Sequence, residues 1–425
     1  MLLTIQRGSK EIGGTCIELQ ARNSRILIDF GLPLVNESKQ QFDSRGIESQ
    51  SIEELIKQGV LPDIKGLYAN EAHLFDAVLL SHPHPDHYGL LSFINPIIPI
   101  YLSEGCKELI GISHYFNQTD CDLKNVKTIN PWQSFEHVNF KITPYLVDHS
   151  GFDAFAYLIE SERKKIFYSG DFRGHGRKGT LFKNIIKNPP KNIDYLILEG
   201  TLIGRNKGIY ETENDIENEL AKLFKNGKEL FFVACSSQNI DRIVSVYRAC
   251  LGSDRIFVID PYTAYVLDKL KKISSNIPQY NWGKNIKIFF LSNSYTGKMG
   301  KDHSLYKYKS AKITYPEILE KRDKLVIKDS HKMRMRFAKN LTDTILIYSL
   351  WKGYLPKIKS FWTEHNVPII EIHASGHAYL EELQKFVKVI NPRYVIPFHT
   401  FYPERYCEYL GNNIMIVRDK ETVEL

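Results

Sequence analysis

The sequence predicts an α/β fold in which short buried strands end on histidine or aspartate, with a further strand–helix unit in the middle of the chain. Two observations carry this. Strand-like runs at Ala77–Leu80, Lys165–Ser169 and Arg393–Pro397 each lead within three residues to a metal-binding side chain: His82, Asp171 and His399. In the middle of the chain, apolar strands alternate with amphipathic helices, which argues a parallel sheet with crossover connections.

Taken in order, Leu2–Arg7, Gly14–Leu19 and Arg25–Asp29 read as three strands separated by Gly-Gly and Arg-Asn-Ser turns. Asp29 closes an apolar strand, where a carboxylate is costly unless paired. A loop with one helix, Ser51–Lys57, leads to the strand Ala77–Leu80. Ser81-His82-Pro83-His84-Pro85-Asp86-His87 follows. Its two prolines argue against a helix, so the motif reads as a tight loop at a strand end. Imidazole and carboxylate are the ligands zinc takes outside thiolate sites. Four of them on so short a loop do not all reach one tetrahedral ion. They suit two neighbouring ions, His82 and His84 for one, Asp86 and His87 for the other.

Beyond the motif, Tyr88–Ile94 reads as a short helix and Pro99–Leu102 as a strand. A helix from Ser103 to Phe116 follows, with Ser103 as N-cap and Glu104 in its first turn. The strand Phe140–Leu146 runs into Val147-Asp148-His149, which offers a further candidate ligand. Phe155–Glu160 and Lys165–Ser169 form a hairpin, and Gly170 lets the backbone approach closely just before Asp171. The strand Tyr195–Leu198 ends on Glu199.

The middle of the chain reads as helix Asp215–Phe224, strand Leu230–Ala234, helix Gln238–Ala249, strand Arg255–Ile259 and helix Ala264–Ile273. Leu325–Ile327 and Ile345–Ser349 are further strands. Gly297–Asn340 is basic, from Lys298 and Lys301 to Arg334 and Arg336, with Tyr306, Tyr308, Tyr315 and Phe337 interleaved. Such a flank is either a solvated face or a contact for a phosphate backbone with stackable bases. The cluster His373-Ala374-Ser375-Gly376-His377 precedes a helix, Tyr379–Val389, and a Ser-Gly turn at a helix start offers N–H groups to a phosphate. His399 follows the strand Arg393–Pro397, and Ile414–Val417 reads as the last strand.

Composition is that of an ordinary globular protein long enough for two or three domains. No run of eighteen apolar residues suggests a membrane span, and the N-terminus lacks the pattern of a secretory signal. Six cysteines without a Cys-x-x-Cys pair argue against a disulfide framework or thiolate zinc site, and for a reducing cytoplasm. A net charge of +7 permits an anionic partner without demanding one.

The set His82-x-His84-x-Asp86-His87, His149, Asp171, Glu199, His373-Ala-Ser-Gly-His377 and His399 resembles, in content and order, the β-CASP branch of the metallo-β-lactamase fold. That branch includes ribonuclease J and the endonuclease of mRNA 3′-end cleavage. The resemblance implies an αββα sandwich with an inserted α/β, β-CASP-like domain. His399 comes roughly 230 positions after Asp171, a gap that a structureless loop does not fill. The expected division is a sandwich domain over residues 1–205 and 346–425, with the insert at 206–345. By the same resemblance, His82, His84 and His149 hold one zinc, Asp86, His87 and His399 a second, and Asp171 bridges them, with Mn2+ an alternative in vitro. Asp29 buttresses the metal loop. His373, Ser375 and Gly376 contact substrate phosphate. Asp86, Glu199 and His377 are the catalytic set: a hydroxide between the zincs attacks phosphorus, His377 is the general acid, and Glu199 orients it. The implied partner is single-stranded RNA, with DNA as a second substrate class and a homodimer as a permitted assembly. A hydrolase of small esters, thioesters or lactams is the competing enzymatic reading, and a catalytically silent RNA-binding subunit the non-enzymatic one.

Overall fold

The computed structural model describes residues 1–35, 41–205, 208–291 and 303–425. These fall into two compact units. The first comprises Met1–Gly174, Lys178–Asn206 and Gly376–Leu425, the second His175–Arg177 and Lys207–Ser375.

Two sheets make the first unit. One contains Leu2–Arg7 (β1), Cys16–Ala21 (β2), Ser24–Ile28 (β3), Ala77–Leu79 (β4), Ile100–Leu102 (β5) and Val126–Thr128 (β6) in that order. The other runs from Phe135–His137 (β7) through Phe140–Leu146 (β8), Phe155–Ser161 (β9) and Lys164–Tyr168 (β10) to Tyr195–Glu199 (β11). Both sheets carry apolar residues on both faces, so successive side chains of one strand enter different cores. In β4, Ala77 and Leu79 join Ile26, Ile28, Phe155, Tyr157 and Tyr168 between the two sheets. Val78 instead packs outward with Leu55, Leu91, Cys106 and Ile110. The outer face of the second sheet is covered by the helix Leu380–Ile390, whose Leu383, Phe386, Val387 and Ile390 recur at helical spacing. Truncating Phe386 to alanine, against Phe167, Phe172 and Phe182, costs about 3–5 kcal/mol. The result is the four-layer αββα sandwich.

The second unit is built on a wholly parallel sheet of Leu230–Ala234 (β12), Ile256–Ile259 (β13), Ile286–Ile288 (β14), Leu325–Lys328 (β15), Thr344–Tyr348 (β16) and Ile369–Glu371 (β17). Its order is β14-β13-β15-β12-β16-β17. The sequence pattern places the return to the sandwich at residue 346, inside β16. That strand pairs along its length with β12, so it belongs to the second unit's sheet. The chain re-enters the first unit at Gly376. There Tyr394–Phe398 (β18) pairs in parallel with β11, and Thr422–Glu424 (β19) pairs with β1.

Several local expectations are corrected. Pro85 does not exclude a helix: it occupies the first position of the short helix Pro85–Tyr88, where its missing N–H costs nothing. Leu91–Phe93 is a separate 3-10 turn, so Tyr88–Ile94 is not one helix. The Ser-Gly turn is not at a helix start, because Tyr379 is the N-cap of the helix Leu380–Ile390. Ile414–Val417 forms only one bridge, Val395 to Ile414, and β19 is the final strand. Lys298 and Lys301 of the basic stretch lie outside the described residues. Among the described residues no helix is long and apolar enough to cross a membrane.

Candidate metal centre

Strand ends deliver the site. β3 stops before Asp29, β4 before Ser81-His82, β8 before Val147-Asp148-His149, β10 before Ser169-Gly170-Asp171, and β18 before His399. These strands belong to the two sheets of the sandwich, and their C-terminal ends meet at one edge.

Four overlapping groups of side chains there have ligand atoms within 4.8 Å of one another: His82 with His84 and His149; His82 with His87 and Asp171; Asp86 with His87 and His399; and Asp171 with His377 and His399. In the first, His84 Nδ1 lies 3.2 Å from His82 Nε2 and 3.1 Å from His149 Nε2. Two tetrahedral ligands at ordinary Zn–N lengths stand about 3.3 Å apart. Asp171 Oδ2 lies 3.2 Å from His87 Nε2, 3.6 Å from His399 Nε2 and 3.7 Å from His82 Nε2. Asp86 Oδ2 lies 3.7 Å from His399 Nε2 and 3.9 Å from His87 Nε2.

The outer hydrogen bonds decide which ring nitrogen faces inward. His149 Nδ1 meets the Gly376 carbonyl at 2.6 Å, and a carbonyl only accepts, so Nδ1 carries the proton and Nε2 a lone pair. His87 Nδ1 donates to Asp29 Oδ2 at 2.8 Å, with the same consequence. Ser81 Oγ donates to Asp29 Oδ2 at 2.8 Å, so it accepts from His82 Nδ1 at 2.9 Å, and His82 Nε2 is the free face. His399 Nδ1 pairs with Thr15 Oγ1 at 2.9 Å. Inside, His87 Nε2, His399 Nε2 and both Asp171 oxygens are buried without a hydrogen-bond partner. Orphaned buried acceptors are costly, and a cation among them removes that cost. The donor set, imidazoles with carboxylates, fits zinc.

Electrostatics divide the site: burial opposes charge on His87, but Asp171 and then Asp29 outweigh it and raise that imidazole well above its ordinary range, whereas those of His82, His84, His149 and His399 are pushed down. Burial pushes the His84 imidazole down to about 4 against the pull of Asp86. His82, His149 and His399 are also held below their ordinary range, by burial first and neighbouring imidazoles second. Burial raises the Asp171 carboxyl, while His87 and His377 oppose the rise.

Residues around the candidate ligands, most of them ordinary types that carry no signal in the sequence, hold these groups in place. Asp29, fully buried, accepts from Ser81 N at 2.7 Å and Tyr168 Oη at 2.6 Å in addition to Ser81 Oγ and His87. Both Asp29 and His399 adopt left-handed backbone, φ 57° and 51°, a strain of about 1–3 kcal/mol each that the surrounding bonds must hold. Gly31 lies against the motif so closely that a Cβ would sit 1.6 Å from the Asp86 carbonyl. Phe30 N and Leu32 N donate to His87 O and Pro85 O, clamping the short helix from this side. Arg173 N donates to Asp148 O at 2.7 Å, and its Nε to Asp148 Oδ1 at 3.3 Å, tying the His149 loop to the Asp171 loop.

Glu199 is fully buried and accepts from Phe172 N, Ala378 N and Thr201 N. His377 Nδ1 lies 3.3 Å from Glu199 Oε2 and 3.7 Å from Asp171 Oδ2. Burial opposes charge on His377, but Glu199 and then Asp171 outweigh it and raise the imidazole above its usual value. Burial likewise opposes charge on Glu199, and His377 reverses this, lowering the carboxyl. Gly376 is in the first unit, its carbonyl taken by His149, whereas His373 and Ser375 are in the second.

Two family models match parts of the chain. The model of the beta-lactamase superfamily domain matches residues 61–225, and that of the Zn-dependent metallo-hydrolase RNA specificity domain matches residues 366–416. The chain resembles metallo-β-lactamase-fold hydrolases of the β-CASP, ribonuclease J-like kind. Ribonuclease J of Mycoplasma pneumoniae is 23% identical over 409 residues, covering 93% of this chain and 67% of its own. Ribonuclease J of Mycoplasma genitalium is 23% identical over 420 residues, covering 92% and 66%. The chain thus spans about two thirds of the length of the curated relatives it matches. A solved structure of a protein of unknown function from Enterococcus faecalis superposes with a TM-score of 0.80 at 21% identity, covering 100% of this chain and 99% of the other, so the two chains share their fold.

Proposed function

We propose that this protein is a two-zinc phosphodiesterase that hydrolyses single-stranded RNA. The observation that carries the reading is Asp171, whose Oδ2 stands within 3.7 Å of nitrogens from His82, His87 and His399, between two groups of candidate ligands. Support for RNA comes from the matched RNA specificity domain and from relatives named ribonuclease J. His82, His84 and His149 would hold one zinc, Asp86, His87 and His399 the other, and Asp171 both. Zinc at this position supplies Lewis acidity toward a phosphoryl oxygen and lowers the pKa of water.

The chain's own residues do the rest. His377, charged beside Glu199, donates a proton from Nε2 to the departing oxygen, and Glu199 accepts from Nδ1 to hold the ring. Gly376 in the first unit and, separately, His373 and Ser375 in the second are proposed phosphate contacts. Asp29 fixes the orientation of His87 through Nδ1.

Cleavage of an end-labelled single-stranded RNA in zinc- or manganese-containing buffer tests this, with bound metal counted for wild type, His377→Ala and Asp86→Ala. The proposal expects cleavage lost in both variants and metal retained in His377→Ala. Two metals per wild-type chain without cleavage of RNA would redirect the reading to DNA or small esters.

A further inference from the structure

The second unit contains a buried cation that the proposed chemistry has not used. Arg242, on the helix Ile240–Gly252, is completely buried. Its Nε and Nη2 donate to the two oxygens of the equally buried Glu213, at 3.2 and 2.9 Å. Nη2 also reaches Ala374 O at 3.4 Å. Nη1 donates to Ser349 O at 3.1 Å, to Ser349 Oγ, and to His373 Nδ1 at 3.3 Å. Ser349 Oγ in turn donates to Ile372 O. One guanidinium therefore ties the ends of β16 and β17 to two helices, in the planar fork geometry that lysine does not reproduce.

The contact with His373 has a chemical consequence. A guanidinium has five N–H donors, no acceptor, and keeps its proton in proteins. His373 Nδ1 facing it must present a lone pair, and a proton placed there would oppose a buried like charge. The proton of the neutral ring then resides on Nε2.

We propose that Arg242 is a positioning residue that fixes His373 as the neutral, Nε2-protonated tautomer, so that His373 meets a phosphate oxygen as a hydrogen-bond donor and not as a cation. This rests on the phosphate-binding role given to His373 above. Glu213 pairs with Arg242 within the same unit, so the buried guanidinium is neutralised.

The test is nitrogen NMR of the zinc-loaded protein labelled at histidine, with His373 assigned by comparison with His373→Gln. The expected wild-type result is an unprotonated Nδ1 and a protonated Nε2, and a shift of that Nε2 on adding inorganic phosphate. A protonated Nδ1, or an Nε2 that phosphate leaves unmoved, overturns the proposal. Because the readout is a tautomer and phosphate is the probe, the result holds independently of whether RNA is the substrate. Arg242→Lys, which keeps the charge beside Glu213, is expected to let His373 populate both tautomers and to raise KM for RNA about tenfold with a smaller change in kcat. An unaltered tautomer in folded Arg242→Lys would show that Arg242 does not set it.

Discussion

Asp29 and His87 are 58 positions apart in sequence, yet Asp29 Oδ2 accepts from His87 Nδ1 at 2.8 Å, and both are fully buried. The same carboxylate holds Ser81, which orients His82. One aspartate at the end of β3 thus sets the outward nitrogens of one histidine directly and of another through a serine.

Asp29→Asn is therefore expected to lower zinc affinity by about 10–100-fold without removing any ligand. Competition with a chromogenic chelator measures it. Unchanged affinity would mean that Asp29 serves only the strand end.

Thr15 Oγ1 plays the corresponding part for His399. Thr15→Val removes that partner at nearly constant volume and is expected to reduce bound zinc below the wild-type stoichiometry, while Thr15→Ser retains it. Metal analysis after gel filtration distinguishes the two. Gly31→Ala is expected to be harsher, because the added carbon collides with the Asp86 backbone rather than with a movable side chain. Zinc content should fall together with thermal stability.

Glu199 is expected to act through His377. Glu199→Gln keeps a hydrogen-bond acceptor but not the charge that raises the His377 imidazole. Since the imidazolium is the donor, the acidic form survives to a lower pH in the variant, and the high-pH limb of the kcat profile moves down. His377→Ala should lower kcat by about 10²–10⁴-fold. An unmoved pH limb in Glu199→Gln would separate the two residues.

Five of the six cysteines are buried and one, Cys407, is exposed. Burial raises the thiols of Cys16, Cys106, Cys235 and Cys250, and that of Cys121 to about 12. Native alkylation at pH 8 should label Cys407 alone, as mass spectrometry would show. An acid whose folded pKa is raised contributes stability below its unfolded pKa and loses it as pH climbs toward the folded value. Each buried thiol therefore costs about 1.4 kcal/mol per pH unit above about 9. Urea midpoints should fall between pH 8 and pH 10, and Cys250→Ser should lessen the slope.

The sequence made the groups at the centre legible because they are chemically rare types at strand ends: His82, His84, Asp86, His87, His149, Asp171 and His399 all stand close together. The alternation of β12, β13 and the helices between them was equally readable, since a buried parallel sheet needs continuous apolar runs. What supports the site was harder. Thr15, Gly31 and Tyr168 are ordinary residue types whose importance comes from contacts far along the chain. β6 and β7 are three residues each and part exposed, too short and too polar for an apolar pattern. Ile414–Val417 has strand composition but only a single bridge to the sheet. Local pattern also could not show that β16 pairs with β12, and hence that the second unit extends beyond residue 346.

The most direct test of the central claim is to count zinc and follow RNA cleavage in the same sample of Asp171→Ala and wild type. The account predicts two zincs per wild-type chain with cleavage of single-stranded RNA, and loss of both activity and part of the metal when Asp171 is removed. Full zinc content with undiminished cleavage in Asp171→Ala would contradict it.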